Sequence, residues 1–356
     1  MTARPDTDAI PRTDRPEDLR GLRRALVLAA RGRGTCQPNP MVGAVLLRNG
    51  EIVAEGYHHI AGGPHAEIEA LRAAARAGID ICVTLEPCST TGRTPPCTDA
   101  LLRAGLRRVV IGCLDDNPRH AGRAVRILRE GGLEASLAPP ALEARCRVLN
   151  EAFFWWIRTG RPFVCLKMAM TLDGKIALPD GTSKWITGPA ARRQVQLLRQ
   201  GAGAIMVGGR TAELDDPGLQ VAPPLTVRRQ PRVCIWTSRK LPPALRVFHH
   251  TPLIAKPVTQ KEWLAFLAEL GKDDVNCLLL EGGGELAACA LAAGIVNKIQ
   301  FFVAPKLILG RDSVPVTGGT PVPELAKALK LNNLTARKFG NDFLFSGYCD
   351  NVYRTD

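Results

Sequence analysis

No long apolar run occurs in this sequence of 356 residues. The longest stretch without a charged or strongly polar side chain, Leu286 to Val296, falls well short of the ~20 residues a membrane-spanning helix needs, so no membrane partner is expected. The first segment, Met1 to Arg15, mixes Pro, Asp, Thr and Arg with no apolar block. It does not read as a secretory signal, and residues 1–16 are expected to form a disordered tail. Long basic runs are missing too. Basic side chains outnumber acidic ones 22 to 18 over residues 1–160 and 25 to 16 over the remainder, so the net charge of +13 is spread. That disfavours nucleic acid as a partner and is compatible with a small phosphorylated one. The eleven cysteines, an odd number, lack the dense regular spacing of a secreted disulfide scaffold, and the expected compartment is the cytoplasm.

What is there is the composition of a folded protein, 46% apolar and 23% charged, over a length that suits two domains. Leu19, Leu22, Leu26 and Ala29 recur at helical spacing after Pro16, predicting an opening helix. Met41 to Leu47 and Ile52 to Ala54 flank Asn49-Gly50, a hairpin signal. His65 to Ala77 reads as a helix and Ile81 to Leu85 as a buried strand. Cys97 opens another helix, before a strand at Arg108 to Cys113, a helix at Arg123 to Arg129 and a strand at Leu133 to Leu137. This alternation predicts an α/β domain over residues 17–146. Ala141 to Arg158, with Phe153, Phe154, Trp155 and Trp156, reads as a helix supplying the connection at 147–160, its aromatics packed between domains; a stacking platform for bases is the alternative. The alternation then restarts, with strands at Phe163 to Met168, Ala204 to Val207, Val233 to Trp236, Cys277 to Leu280, Lys298 to Val303 and Leu344 to Tyr348. Helices fall at Ala190 to Arg199, Gln260 to Leu270 and Glu285 to Ala293. A second α/β domain over 161–356 follows, with no internal repeat.

The strongest chemical signal is His65-Ala66-Glu67 at a helix start, Pro87-Cys88 after a strand and Cys97 at the next helix start. One imidazole and two thiolates leave a fourth tetrahedral position for water, as in a catalytic zinc site rather than a closed structural one. Zinc lowers the pKa of that water towards ~7, and Glu67, two residues from His65, is placed to carry its proton to a leaving amine. H-x-E followed by P-C…C is the pattern of zinc nucleobase deaminases. Eight residues, STTGRTPP, separate Cys88 from Cys97, however, where nucleic-acid deaminases have two. Cys36, Cys82, Cys113 and Cys146 read as packing residues. In the second half, Gly282, Gly284 and Ala287 fit G-x-G-x-x-A after a strand, but no acidic residue follows between Val296 and Arg311, which disfavours an ordinary NAD-binding Rossmann domain.

The segments PNPMVGAV, GYHHIAGGPHAE, VTLEPCSTTGRTPPC and DDNPRHAGR closely resemble the RibD family of bifunctional riboflavin-biosynthesis proteins, a pyrimidine deaminase joined to a reductase. The resemblance implies a cytidine-deaminase-like zinc domain followed by a dihydrofolate-reductase-like domain that uses NADPH, with one Zn2+ per chain held by His65, Cys88 and Cys97 and Glu67 as proton shuttle. It implies that Asn39, His58, Asp115 and Asn117 contact the pyrimidine or ribose and that Arg93 anchors the substrate phosphate. The bland alternatives are a turn cap for Asn39 and an Asx turn for Asp115 and Asn117. FVCLKMAMTLDGKIA, SKWITG, VQLLRQGAGAIMVGGRTAELDDPGL and LEGGGELAACAL resemble the RibD reductase. By that similarity Ala169, Trp185, Thr211, Asp215, Gly283, Gly284, Glu285 and Leu286 lie along the dinucleotide, while Lys167, Ser183, Arg199, Leu219 and Glu281 touch the substrate. Glu281 and Asp215 are the candidates for handling protons. Trp185 as a core residue and Arg199 as a solvated helix residue are the alternatives.

Three positions depart from the family. Thr90 and Thr91 stand where members often carry two histidines, and Ala222 stands where an arginine is usual, with Arg228 or Arg229 as possible substitutes. The expected function is hydrolytic deamination of 2,5-diamino-6-(ribosylamino)-4(3H)-pyrimidinone 5'-phosphate, a small phosphorylated pyrimidine, then NADPH reduction of the ribosyl side chain to ribityl. Superfamily analogy suggests a homodimer. The rival readings are an active deaminase with a non-catalytic second domain and a nucleic-acid deaminase.

Overall fold

The computed structural model describes residues 10–73, 78–91, 95–117 and 120–349, and divides at Thr159/Gly160 into two compact units. In the first, helix α1 (Pro16–Ala29) precedes the hairpin β1 (Gly43–Arg48) and β2 (Glu51–Tyr57). Then come α2 (Ala66–Arg72), β3 (Asp80–Val83), α3 (Cys97–Arg103), β4 (Arg108–Ile111), α4 (Arg123–Glu130), β5 (Glu134–Leu137), α5 (Pro140–Leu149) and α6 (Glu151–Thr159). The strands form one sheet in the order β2-β1-β3-β4-β5, with β1 antiparallel to both neighbours and β3, β4 and β5 parallel.

Alternation along the strands feeds two cores. Ala44, Leu46, Ile81, Val83, Val109 and Ile111 pack on α2, α3 and α4, while Val45, Leu47, Cys82 and Val110 face α1 and α5. Both sheet faces are thus covered, which explains why these strands are short and almost wholly apolar. At the end of β2, a Cβ on Gly56 would lie 2.4 Å from the Ala66 carbonyl oxygen, so only glycine lets the start of α2 press on the sheet.

Arg108 of β4 is buried between Asp18 and Asp80, donating at 2.8 Å to each. Thr13 donates to the same Asp18 carboxylate, the Thr13 N–H reaches the Leu137 carbonyl at 2.9 Å, and Ile10 is buried. The expected disordered tail over residues 1–16 is therefore corrected for residues 10–15, which are tied to the edge of β5; residues 1–9 lie outside the described residues. The helix expected from Ala141 to Arg158 is two helices broken at Asn150. The Asn150 side chain accepts from the Met41 N–H at 2.8 Å and donates to the Met41 carbonyl at 2.9 Å. Of its aromatics, Phe154 is buried in the α1/α5 core with Phe153 against it, and Trp155 and Trp156 are half-buried.

The second unit contains β6 (Phe163–Thr171), β7 (Lys175–Ala177), α7 (Pro189–Gln200), β8 (Ala204–Gly208), α8 (Gly209–Asp215), β9 (Arg232–Trp236), β10 (Leu253–Ala255) and α9 (Gln260–Lys272). It continues with β11 (Cys277–Glu281), α10 (Gly284–Ala292), β12 (Lys298–Ala304), β13 (Val314–Pro315), β14 (Asn332–Phe339) and β15 (Asp342–Tyr348). Eight strands form a sheet in the order β10-β9-β8-β11-β6-β12-β15-β14, parallel from β10 to β12 and antiparallel beyond. Strands β8 and β11 end side by side, Glu281 of β11 facing Lys167 of the longer β6, and open α/β sheets bind ligands outside such carboxyl ends. Among the described residues no helix is long and apolar enough to cross a membrane.

Candidate functional site

His65 sits in extended conformation at the N-cap of α2, Cys97 is the first residue of α3, and Cys88 lies in the loop after β3. The Thr98 N–H reaches the Cys88 carbonyl at 3.3 Å, and the Cys97 N–H donates to Cys88 Sγ at 3.3 Å, so the loop is stitched onto the start of α3. His65 Nδ1 lies 3.2 Å from Cys97 Sγ and 3.5 Å from Cys88 Sγ, and the three donor atoms fall within 4.8 Å of one another. Tetrahedral zinc with bonds of about 2.0–2.3 Å has ligand–ligand edges of about 3.5 Å, so this donor set fits one such ion. The Cys88 thiol is pushed down to about 4 by the Cys97 thiol and His65 beside it, and that pairing together with burial moves Cys97 upward.

Glu67, in the first turn of α2, is buried, and burial raises its carboxyl above the ordinary carboxylate range. His58 packs edge-on to His65 with ring centroids 5.4 Å apart. Burial holds its imidazole below the usual range; Nδ1 faces the Pro64 carbonyl at 2.9 Å and Nε2 faces Asn39 Nδ2 at 3.2 Å. A neutral ring donating through Nδ1 and accepting the Asn39 amide satisfies both contacts. The structure thus brings Asn39 and His58 together beside the His/Cys/Cys cluster. Asp115 is buried and accepts the Asn117 N–H at 2.8 Å, which is the Asx turn expected as the alternative. Arg93 lies outside the described residues.

The second unit has a cleft of about 830 Å³ whose wall contains all thirteen residues expected to contact dinucleotide or substrate. Lys167 and Glu281 are register partners on β6 and β11, with Nζ 3.9 Å from Oε2. Arg199 of α7 clamps Glu281 with two bonds of 2.6 and 2.8 Å, so it is an ion-paired residue rather than a solvated one. Burial works against the charge on Glu281, but Arg199 and Lys167 prevail and hold it below the ordinary range; for Lys167 burial prevails and lowers it. Across the cleft Ser183 donates to Asp215 at 2.9 Å. Trp185 is 65% exposed, with the Arg192 guanidinium 4.7 Å from its ring centroid, so it is not a core residue. Gly282 and Gly283 have φ of +97° and +88°, and a Cβ on Gly283 would sit 3.3 Å from Thr211 Oγ1. Two glycines let the backbone turn into α10, whose first residues line the cleft.

Comparison with known proteins follows the same division. Residues 16–113 match the cytidine and deoxycytidylate deaminase zinc-binding region and residues 162–345 the RibD C-terminal domain. The riboflavin biosynthesis protein RibD of Actinobacillus pleuropneumoniae is 39% identical over 355 residues, covering 92% of this chain and 94% of its own. That of Escherichia coli K12 is 38% identical over 356 residues, covering 90% and 96%. The chain belongs to the RibD family. The structure of Acinetobacter baumannii RibD (form 1) aligns with a TM-score of 0.82 at 34% identity, covering 93% of this chain and 98% of that one. The Thermotoga maritima diaminohydroxyphosphoribosylaminopyrimidine deaminase/5-amino-6-(5-phosphoribosylamino)uracil reductase aligns with 0.82 at 31%, with the same coverage. This is a bifunctional enzyme of riboflavin biosynthesis, a deaminase zinc domain followed by a reductase domain.

Sequence reasoning about this RibD family member passed over Glu86. Its buried carboxylate accepts the N–H groups of Asp115, Gly122 and Ala124 at 3.1, 2.8 and 3.0 Å, holding the segment that carries Asp115 and Asn117 and capping α4 from a distant part of the chain. The available signal was an acidic residue directly after an apolar strand. Beside Thr90 and Thr91, His120 Nδ1 lies 3.3 Å from Ser89 Oγ, so a histidine from another loop reaches the Cys88 segment. Ala222 is exposed; its N–H donates to Gln196 Oε1 at 3.1 Å.

Proposed function

We propose that the first unit hydrolyses the 2-amino group of 2,5-diamino-6-(ribosylamino)-4(3H)-pyrimidinone 5'-phosphate and that the second reduces the ribosyl side chain of the product to ribityl with NADPH. The observation that carries this reading is the convergence of His65, Cys88 and Cys97 on one point with the buried Glu67 beside it. His65, Cys88 and Cys97 would hold one Zn2+ per chain, which would supply Lewis acidity near neutral pH. Glu67 would take a proton from the attacking water and pass it to the departing amine, so that ammonia leaves neutral. Asn39, held by His58, contacts the pyrimidine or ribose, with Asp115 and Asn117 as further contacts.

In the second unit Ala169, Trp185, Thr211, Asp215 and the Gly283 to Leu286 turn would hold NADPH, which would supply the hydride. The acceptor is C1' of the ring-opened imine. Ser183, Arg199, Leu219 and Glu281 hold the substrate. The Arg199 clamp keeps Glu281 ionised, which suits it to orient rather than to donate. In this reading Lys167, 3.9 Å from Glu281 and with its ammonium made more acidic by burial, delivers the proton to the imine nitrogen.

Purified full-length protein is assayed with the diaminopyrimidine phosphate, with and without NADPH, after metal analysis. About one zinc per chain, ammonia release in both arms and NADPH oxidation following deamination are expected. Ammonia release without NADPH oxidation would leave a deaminase with a non-catalytic second domain.

A further inference from the structure

The Thermotoga maritima relative is named as reducing a 5-phosphoribosylamino compound, and a phosphate ester calls for a positioned cation. The cations of the cleft divide by what already holds them. Arg199 commits Nε and Nη2 to Glu281, Arg192 lies on Trp185 and donates to the Thr187 carbonyl at 2.8 Å, and Lys184 donates to the Asp215 carbonyl at 2.7 Å. Lys167 is paired with Glu281, Arg239 is drawn to Glu213 at 2.7 Å and Lys256 lies over the Trp236 ring, while Arg210 lines the cleft beside Thr211.

Arg246 differs. Its Nε and Nη2 both donate to the Asp216 carbonyl, its own N–H donates to Asp216 Oδ1 at 2.7 Å, and Asp216 Oδ2 lies 3.4 Å from Nε. This brace leaves Nη1 without a hydrogen-bond partner among the described residues. A Cβ on Gly218 would lie 3.8 Å from that nitrogen, and Gly218, Leu219 and Arg246 all line the cleft. The neighbouring Gln220 carbonyl is 3.4 Å from Arg199 Nη1, so the braced guanidinium stands on the same wall as the Arg199–Glu281 clamp. A guanidinium fixed in advance loses little rotamer freedom on meeting its anion. Arg228, Arg229 and Arg246 are all exposed, but of the three only Arg246 lines the cleft.

We infer that Arg246 reads the substrate's phosphate in the reductase site. The inference rests on the reductase reading above and names the group that gives it specificity.

The test compares NADPH oxidation with the deaminated nucleotide and with its dephosphorylated counterpart, in the full-length zinc enzyme. Arg246→Ala should cut the preference for the phosphorylated compound about 10- to 100-fold, chiefly through KM, the size expected for losing one charged hydrogen-bonding group. Arg246→Lys should restore part of it, and Arg228→Ala and Arg229→Ala should keep the wild-type preference. An undiminished preference in Arg246→Ala, or an equal loss on both compounds, overturns the assignment. A wild type that oxidises no NADPH defeats the reductase reading instead. Arg246 is then judged by whether its replacement abolishes the phosphate preference in ligand-induced tryptophan quenching, Trp185 and Trp236 both lining the cleft.

Discussion

A carboxyl group that must accept a proton and then give it away works best when neither form is strongly favoured, and burial moves Glu67 in that direction. Glu67→Gln keeps the size and one acceptor but cannot carry a proton. The variant should retain zinc by metal analysis while ammonia release falls by about 10²–10⁴, the usual contribution of a positioned acid–base group. Near-normal release would remove Glu67 from the role. Asp115 gives a separate pH signature. Burial, with Glu86 and Asp116 adding, pushes its carboxyl up to about 7. The folded protein then binds this proton more tightly than the unfolded chain does. The stability it confers is complete below the ordinary carboxyl pKa near ~4 and is lost as the pH rises through about 7. Asp115→Asn keeps an oxygen for the Asn117 N–H but does not titrate. Urea unfolding at a series of pH values should show the variant gaining on the wild type from pH ~4 to 7 and then levelling off; parallel curves would show that Asp115 is not the group.

Elements with a strong period were legible before any coordinates. The six strands expected in the second unit appear within a residue or two to three of their expected bounds, because each is central and apolar, as in CLLLE of β11. The missed strands are those whose residues carry no burial pattern: β14 is exposed along nearly its whole length, and β7, β10 and β13 have two or three residues. Helix α8 was hidden because Gly208-Gly209 reads as a turn. The His65, Cys88 and Cys97 cluster was legible because chemistry dictates the types and spacing of such donors, whereas Glu86 acts only on backbone amides that are distant in sequence. Asn150 is the same kind of residue. Its amide pairs with both main-chain groups of Met41, two residues from Asn39, and breaks what the apolar pattern reads as one helix. Asn150→Ala leaves two half-buried backbone groups without this partner and should cost about 1–2 kcal/mol by denaturant unfolding. It should also raise KM for deamination more than it lowers kcat, since the Asn39 loop loses its tether; an unchanged unfolding midpoint would contradict this.

At the scale of the whole molecule, the division at Thr159/Gly160 gives each unit its own sheet, its own apolar clusters and its own site. Ligands that bind only the folded form stabilise what they bind, by about 2.7 kcal/mol at a hundredfold excess over Kd. Zinc and NADPH should therefore act on different parts of the thermogram. In scanning calorimetry of the full chain, a chelator should lower one transition, and NADPH at such an excess should raise the other by roughly 5–10 °C, given units of this size. The chelated protein should meanwhile release no ammonia from the diaminopyrimidine yet still oxidise NADPH with substrate that is already deaminated. A single transition that both ligands shift together would mean that the two units unfold as one cooperative block, despite their separate sheets and cores.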